Sequence, residues 1–262
     1  MRRQADSLFT AVLCAAAIGA IAPSAVHAAP YFETGFESPG YTTGNLVGQD
    51  NWVTDSSTPD SGRQVVAGGV GGLPGAPDGS QMAMIASPST NERAQRSFAV
   101  TPITDDFFAD ITLAHRGVVA SGDGAYVYLN TPTSAFNGVI FGFNDGFLAY
   151  RSGNTWVPID TDPNTGAVDQ ASADTFYRFV AKVRPSDAQY DLKVYDSGGV
   201  LIGDFENLYA RNGLSEFSQI RLFSLNTDDV LFVDSISISP VPEPSSLGLI
   251  MTGIAIAIRR KR

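Results

Sequence analysis

Short segments that favour β-strands dominate residues 29–239 and constrain the fold more than any other feature. Segments rich in Val, Ile, Phe, Tyr and Thr alternate with clusters of Gly, Asp, Asn, Ser and Pro, without a long apolar pattern at helical spacing. This spacing predicts an all-β domain, a two-sheet antiparallel β-sandwich. The predicted strands are Arg63–Ala67, Gln81–Ala86, Gln95–Val100, Phe107–Arg116, Ala125–Asn130, Val139–Phe143, Phe147–Arg151, Thr155–Ile159, Tyr177–Val183, Tyr190–Tyr195, Val200–Glu206, Ser218–Leu222 and Val230–Ile238.

Turn residues predict how several of these strands connect. Asn144-Asp145-Gly146 lies between two predicted strands, and Asp-Gly in that position is a strong hairpin signal. The run Asp196–Gly199 predicts a second hairpin. The glycine-rich segment Gly68–Gly79 is predicted to be a surface loop, because no proline-rich linker divides residues 31–239.

Side-chain alternation assigns faces within the last predicted strand, Val230–Ile238. Strict alternation places Phe232, Ile236 and Ile238 on one face. The same alternation places Asp234 among them, where a carboxylate is out of pattern.

The distribution of charge excludes several classes of function. The chain has a formal net charge of −10, but 6 of its 17 basic residues and only 2 of its 27 acidic residues lie in the terminal segments. Residues 29–240 therefore hold 11 basic and 25 acidic residues. Such an acidic domain would repel phosphates, so we exclude nucleic acid as a partner. Direct binding of a strongly anionic polysaccharide is also disfavoured, unless calcium bridges the two.

Cysteine and histidine are too scarce for several kinds of catalytic site. The only cysteine, Cys14, lies near the N-terminus, and residues 29–240 contain one histidine, His115. The domain therefore cannot form a Cys–His dyad or a multi-histidine metal site. His115 ends a predicted strand without a flanking serine motif, so we interpret it as a surface or strand-end residue.

The N-terminal segment has the three parts of a secretory signal peptide. Arg2 and Arg3 form a basic region, an apolar stretch follows, and small residues lead to a cleavage site between Ala28 and Ala29. We therefore expect signal peptidase to remove residues 1–28. Two adjacent arginines do not distinguish the general secretory route from the twin-arginine route.

The C-terminal segment also has three parts. The motif Pro242-Glu243-Pro244 is followed by the apolar run Leu247–Ile258 and by four cations, Arg259, Arg260, Lys261 and Arg262. As a helix the apolar run would span about 18 Å, which is shorter than the roughly 30 Å of a bilayer core. The cations would remain on the cytoplasmic side.

This tripartite segment, residues 240–262, resembles the PEP-CTERM sorting signal of Gram-negative bacteria. The resemblance implies a transmembrane sorting helix that is processed by an exosortase. It further implies export, transient anchoring in the inner membrane, and release to the cell surface or extracellular matrix of bacteria that make exopolysaccharide. The predicted domains are thus a signal peptide (1–28), a β-sandwich (29–239) and a sorting signal (240–262).

Within the interior, the opening segments Phe32–Glu37 and Leu46–Trp52 resemble the start of secreted concanavalin A-like or laminin-G-like jelly-rolls. The hairpin at Phe141–Gly146 and the end of the last predicted strand fit the same scheme. This resemblance implies a jelly-roll fold and no particular activity.

One loop is a candidate metal site. Asp160, Asp162 and Asn164 place oxygen ligands at alternate positions, and Asp169 could complete an irregular calcium site. The segment is not an EF-hand, because Ala171 occupies the position that would supply the last carboxylate. The alternative is a solvated loop in which Asp and Asn side chains cap their own backbone turns.

Aromatic residues supply a candidate glycan site. Tyr126 and Tyr128 share a strand face, and ring faces suit the C–H surfaces of sugars. Both tyrosines either pack inward as core or are exposed for binding. Other aromatic candidates for such a platform are Trp52, Trp156 and Tyr150.

The sequence favours a non-enzymatic, lectin-like surface or matrix protein that binds polysaccharide. A secreted glycoside hydrolase or lyase on the same fold is the alternative, because 25 acidic residues offer many carboxylate pairs. The interior glutamates match no Glu-x-Asp-x-x-Glu strand motif, and no residue is assigned as catalytic. A purely structural role is a third possibility.

Overall fold

The structure is a computed structural model of the chain. It describes residues 29–54, 62–86, 92–119, 121–133, 137–162 and 167–242. Residues 29–241 form one compact unit, and its described part contains fifteen β-strands and a short 3₁₀ turn at Pro185–Asp187.

The strands are β1 (Phe32–Thr34), β2 (Gly44–Asn45), β3 (Arg63–Ala67), β4 (Gln81–Ala86), β5 (Glu92–Ser97), β6 (Phe107–Arg116), β7 (Gly124–Asn130), β8 (Val139–Asn144), β9 (Phe147–Ser152), β10 (Thr155–Ile159), β11 (Tyr177–Arg184), β12 (Gln189–Tyr195), β13 (Leu201–Tyr209), β14 (Gln219–Ser224) and β15 (Val230–Pro240). All thirteen predicted strands are present, with ends that differ by at most three residues. The unpredicted strands, β1 and β2, have only three and two residues, too few to show alternation.

The strands form two antiparallel sheets, which confirms the predicted β-sandwich. The nine-stranded sheet has the order β13-β12-β11-β6-β15-β4-β3-β2, with β1 also paired to β15. The six-stranded sheet has the order β10-β9-β8-β7-β14-β5. Six of the thirteen strand pairings, such as that of β7 with β14, join strands that are not consecutive in the chain, so this part of the sheet order could not be read from local pairing.

The main hydrophobic core lies between the sheets. Phe141 of β8 and Phe179 of β11 stack across it, with ring centroids 5.2 Å apart. Trp52 and Tyr150 also belong to this core, and Trp52 is 0% exposed. Burial of each large side chain of this kind contributes roughly 1.5–3 kcal/mol.

The predicted hairpin turns are confirmed. Asp145 and Gly146 have φ values of 54° and 86°, as a type I′ turn between β8 and β9 requires. In the β12–β13 turn, Asp196 Oδ1 accepts hydrogen bonds from the backbone N–H groups of Gly198 and Val200, at 2.9 and 2.8 Å. The segment Gly68–Gly79 is a loop between β3 and β4.

The predicted face assignment of β15 is wrong at one end because Asp234 is an extra residue in the strand. Val233 and Ser235 pair with adjacent residues of β6, so Asp234 forms a β-bulge. The bulge shifts the alternation by one position, and Val233 and Ile236 both point into the main core. Phe232 instead packs in a separate cluster on the outer face of the nine-stranded sheet.

A buried ion pair links the two sheets. Arg63 Nη1 of β3 lies 2.8 Å from Glu92 Oε2 of β5, and both side chains are 0% exposed. The same nitrogen donates to Thr54 Oγ1 at 2.7 Å. These contacts compensate for removing the arginine from water.

β15 is an interior strand that continues almost to the predicted sorting motif. It pairs with β6 along one side and with β4 and β1 along the other. Its last residue, Pro240, pairs with Phe107, one residue beyond the predicted end of the domain.

Candidate functional site

The outer face of the six-stranded sheet carries an unusual set of side chains. The register places Tyr126 beside Phe223, and Tyr128 beside Arg221, on the face opposite to the main core. On the neighbouring hairpin, Trp156 of β10 pairs with Arg151 of β9 on the same face. We call this surface the aromatic–arginine face; its members are Arg93, Tyr126, Tyr128, Arg151, Trp156, Arg211, Arg221 and Phe223.

The aromatic rings of this face pack closely together. Tyr126 stacks on Phe223 with centroids 5.0 Å apart and also contacts Trp156, at 5.2 Å. The Tyr126 and Tyr128 rings meet edge to face, with centroids 5.5 Å apart. Tyr126 and Tyr128 are only 7% and 4% exposed, whereas Trp156 is half-buried. The tyrosines thus form a floor, and the tryptophan is the more accessible ring.

Two glycines make room for Tyr126 against the sheet. A Cβ atom on Gly124 would lie 2.4 Å from Tyr126 Cε1, and one on Gly142 would lie 2.7 Å from Tyr126 Cα. Gly142 also has a φ of 146°, a conformation that residues with side chains rarely adopt. The absence of a side chain therefore leaves room for the phenol ring at Gly124 and for the close approach of the β7 backbone at Gly142.

Arginines surround this floor. The Arg151 guanidinium lies 5.2 Å from the Trp156 ring, and that of Arg93 lies 5.4 Å from Phe223. Arg211 extends from the β13–β14 connection, where its backbone pairs with Gly138 beside β8. Burial and the neighbouring charge of Arg211 lower the pKa of Arg151. The two arginines are thus close enough to repel each other.

Acidic residues are nearly absent from the six strands of this sheet. Glu92 is the only Asp or Glu in β5, β7, β8, β9, β10 and β14, whereas these strands contain four arginines. Glu92 points into the sandwich, where it pairs with Arg63. The sheet therefore presents local positive charge in a domain that is acidic overall.

The phenols of the face retain their protons at neutral pH. Burial raises the pKa of both Tyr126 and Tyr128 above the ordinary value for tyrosine. A phenol with a raised pKa is a hydrogen-bond donor and a poor general base.

The structure brings together three of the five aromatic candidates from the sequence. Tyr126, Tyr128 and Trp156 lie in one cluster on the outer face, and Trp52 and Tyr150 lie in the main core. The sequence predicted that the two tyrosines either pack into the core or are exposed. In the structure they lie on the outer face and are nevertheless buried by their neighbours. Sequence reasoning missed Arg151, although it lies directly across the β9–β10 turn from Trp156.

A second cluster that sequence reasoning did not assemble surrounds the β15 bulge. Asp234 is 0% exposed, and its Oδ2 accepts a hydrogen bond from the backbone N–H of Asp78 at 3.1 Å. Its Oδ1 has no hydrogen-bond partner among the described residues. Burial, with the nearby charges of Asp78 and Glu37, raises the pKa of Asp234 to about 7. The out-of-pattern carboxylate in the sequence was the available signal.

The opposite sheet has a cleft of about 480 Å³, lined in part by Asp110, Arg178 and Ser237. There, Arg178 Nε donates to Asp110 Oδ1 at 2.8 Å, and Arg178 also lies 5.5 Å from the Tyr195 ring. Arg178 therefore forms an ion pair with Asp110, whereas Arg151 has no ion pair with a described carboxylate.

His115 is at a strand end, as expected, but it is not on the surface. It is 0% exposed, and its ring centroid lies 4.4 Å from that of Phe143. Its Nε2 lies 3.2 Å from the carbonyl oxygen of Ala171, so this nitrogen donates. Burial lowers the pKa of His115. His115 is a buried residue of β6, which belongs to the nine-stranded sheet, whereas the aromatic–arginine face is on the six-stranded sheet.

The predicted calcium loop is only partly described. The backbone N–H of Asp162 donates to Asp160 Oδ1 at 3.1 Å, as a self-capped turn would. Asp169 is half-buried, and Asn164 lies outside the described residues. Among the residues that the structure describes, no group of three or more His, Cys, Asp or Glu side chains is arranged to hold a metal ion.

Calcium at this loop stays a prediction with a simple test. A ligand that binds only the folded state stabilises it in proportion to RT ln(1 + [L]/Kd). The prediction is that the chain melts at a higher temperature in millimolar calcium than in chelator, and that Asp162→Asn abolishes the rise. Equal melting temperatures in calcium and chelator would leave the self-capped turn as the interpretation.

The predicted processing sites fall mostly outside the described residues. Pro242 and Ala29 are described and exposed. The residues that lie outside are Ala28, Glu243, Pro244, Arg259, Arg260, Lys261 and Arg262. No helix among the described residues is long and apolar enough to cross a membrane.

Comparison with known families concerns the C-terminal segment. Residues 240–262 match the family model described as the PEP-CTERM protein-sorting motif. The segment is a PEP-CTERM sorting motif. The motif implies that the chain is exported and sorted by an exosortase. No curated protein matches the sequence.

Solved structures are similar in fold. "Cellulose induced protein, Cip1" aligns with 80% of this chain and 97% of its own, at 13% identity and a TM-score of 0.50. Peanut lectin aligns with 79% of this chain and 95% of its own, at 10% identity and a TM-score of 0.44. A sialidase aligns with 62% of this chain, at 11% identity and a TM-score of 0.41, and this chain spans only 15% of its length. The similarity to Cip1 supports the predicted jelly-roll.

Proposed function

We propose that this chain is a non-enzymatic surface or matrix protein that binds extracellular polysaccharide on its aromatic–arginine face. Signal peptidase and exosortase process its two ends. The tail holds it at the inner membrane of a Gram-negative cell until it is processed, and the sandwich then acts at the cell surface or in the matrix.

The observation that carries the proposal is the accessible Trp156 ring on a floor of tyrosines, bordered by arginines. A pyranose offers an apolar C–H face and a rim of hydroxyl groups, which suit an aromatic ring and guanidinium donors respectively. Gly124 leaves space for the Tyr126 ring, because a Cβ atom at that position would lie 2.4 Å from Tyr126 Cε1.

The enzymatic alternative requires different groups. Hydrolysis needs two carboxylates across the bond, and the only Asp or Glu in the six strands, Glu92, is buried on the other side. A lyase that used a tyrosine as the base would need an accessible phenolate, which the raised pKa of Tyr126 and Tyr128 disfavours. These features favour binding over turnover.

A glycan array with the full-length chain tests the proposal. We expect Trp156→Ala to weaken polysaccharide binding at least about tenfold, equivalent to about 1.4 kcal/mol, because the accessible ring is lost. The matched control is Tyr195→Ala, which removes a half-buried ring under an arginine on the opposite sheet. This control should bind as the wild type does.

Two results would contradict the proposal. If Trp156→Ala weakens binding no more than the control Tyr195→Ala does, the Trp156 ring is not the binding surface. Release of reducing ends or of unsaturated uronates from a bound polysaccharide would show turnover and favour the carbohydrate-active enzyme.

A further inference from the structure

We propose that the aromatic–arginine face selects polysaccharides that carry carboxylate groups, and that Arg151 and Arg211 together bind the uronate carboxylate. This inference rests on the proposed function and names its ligand class. It differs from what overall charge predicts, because the domain as a whole is strongly acidic.

A single residue positions the two guanidinium groups. Arg151 Nη2 donates to the backbone carbonyl of Asn154 at 2.8 Å, and Arg211 Nε donates to the side-chain oxygen of the same asparagine at 3.2 Å. Asn154 lies in the turn between β9 and β10, next to Trp156. Both guanidinium groups therefore converge beside the accessible ring, and each retains further N–H donors.

The backbone also fixes Arg211 in place. Its N–H donates to the carbonyl of Gly138 at 2.8 Å, and its carbonyl accepts from the N–H of Gly138 at 3.1 Å. Gly153 in the β9–β10 turn donates to the carbonyl of Tyr209 at 2.8 Å. The end of β13 and the residues that follow it are thus attached to the β9–β10 turn and to the residue before β8, which holds Arg211 beside Arg151.

The protein does not neutralise this pair among its described residues. Seven of the eleven cations in residues 29–240 form ion pairs with described carboxylates. Neither Arg151 nor Arg211 lies within ion-pair distance of a described carboxylate, and Arg151 Nε is buried with no described hydrogen-bond partner. Two half-buried like charges side by side cost free energy that an anionic ligand would recover.

The chemistry of the donors favours a planar anion. Guanidinium groups match the geometry of a carboxylate with paired N–H donors, and a uronate places its carboxylate at the edge of a ring that can stack. Trp156 is half-buried and its ring lies 5.2 Å from the Arg151 guanidinium, so a sugar packed against the exposed part of the ring would lie near that guanidinium. One sugar residue could therefore use both contacts.

A matched pair of ligands tests the inference on the full-length chain. The first is a polyuronate, and the second is the same polymer after chemical reduction of its carboxyl groups to neutral hydroxymethyl groups. We expect the polyuronate to bind about 10- to 100-fold more tightly, the range for a hydrogen bond to a charged group. We also expect this preference to fall as salt concentration rises.

Two variants on different elements carry the test. Arg151→Gln and Arg211→Gln should each remove most of the preference for the polyuronate, while binding of the reduced polymer changes little. Arg178→Gln is the matched control, since it removes an arginine that lies over a ring on the opposite sheet. Because Arg211 lies in a connection outside the strands, its variant remains informative even where Arg151→Gln fails to fold.

The outcomes separate this inference from the proposed function. Equal affinity for the two polymers, with both affinities reduced by Trp156→Ala, would overturn the inference and leave the proposed function standing. A polyuronate preference that persists in both arginine variants would also overturn the inference. No binding of either polymer or of any other glycan would overturn both.

Discussion

Replacing Arg63 by methionine is expected to lower the free energy of unfolding by about 3–5 kcal/mol, because the substitution breaks the buried ion pair between Arg63 and Glu92. Both side chains are 0% exposed, and they join β3 of one sheet to β5 of the other. Urea denaturation at neutral pH measures the change. The double variant Arg63→Met with Glu92→Met should recover most of the loss, because two apolar side chains replace the pair.

The matched control for this pair is on the surface. Lys193 Nζ lies 3.3 Å from Asp204 Oδ2, and the two side chains are 49% and 44% exposed. Exposed pairs of this kind contribute about 0–1 kcal/mol, so Lys193→Met should be nearly neutral. A loss of stability that is the same in Arg63→Met and in the double variant would show that the effect comes from packing and not from breaking the ion pair.

Asp234→Asn is expected to stabilise the protein at pH 8 by about 2–4 kcal/mol and to have little effect near pH 4. The carboxyl has a pKa raised to about 7 by burial and by the nearby Asp78 and Glu37. Between pH 4 and pH 7 the folded state therefore holds a proton that the unfolded state has lost. The free energy of unfolding of the wild type consequently falls as pH rises through this window.

Melting temperatures of the wild type and Asp234→Asn at pH 4, 6 and 8 check this expectation. The amide cannot ionise, and its oxygen can still accept the hydrogen bond from the backbone N–H of Asp78, at 3.1 Å in the native protein. The difference between the two proteins should grow with pH. If the two melting temperatures differ by the same amount at every pH, or if the variant is less stable at pH 8, the Asp234 carboxylate is solvated or paired in the folded state.

Much of the fold could be predicted because its signals are local. Strand alternation and the Asp145-Gly146 turn are encoded within a few residues, and both were confirmed. The faces of β15 were predicted wrongly at Phe232 because a β-bulge depends on the partner strand, which the sequence of β15 does not contain. The carboxylate at Asp234 marked the irregularity without revealing its geometry.

The candidate site was predicted in part for a similar reason. Tyr126 and Tyr128 are two residues apart in one strand, so their common face followed from alternation. Which side of the sheet they occupy did not follow, because both faces of β7 carry apolar residues. Arg211 could not be assigned, since it joins the site through Gly138 and Asn154, which are distant in sequence.

If the further inference holds, overall charge is a poor guide to the ligand of this face. Acidic side chains outnumber basic ones by more than two to one in residues 29–240, yet a single acidic residue occurs in the six strands of one sheet. A ligand approaches one face at short range, and screening at physiological salt limits charge effects to about 8 Å. Local charge therefore has more influence on what this face accepts than the net charge of the domain.

The position of β15 also has a mechanical consequence. The sorting motif begins at residue 240, where this strand ends, so tension on the C-terminal segment would enter the domain through β15. On the proposed function, such tension would arise while the unprocessed tail still holds the exported domain at the inner membrane. Ten register pairs with β6 and further pairs with β4 and β1 would resist extraction from both flanks. The fold therefore meets a pulling force at an interior strand and not at an edge that could peel away.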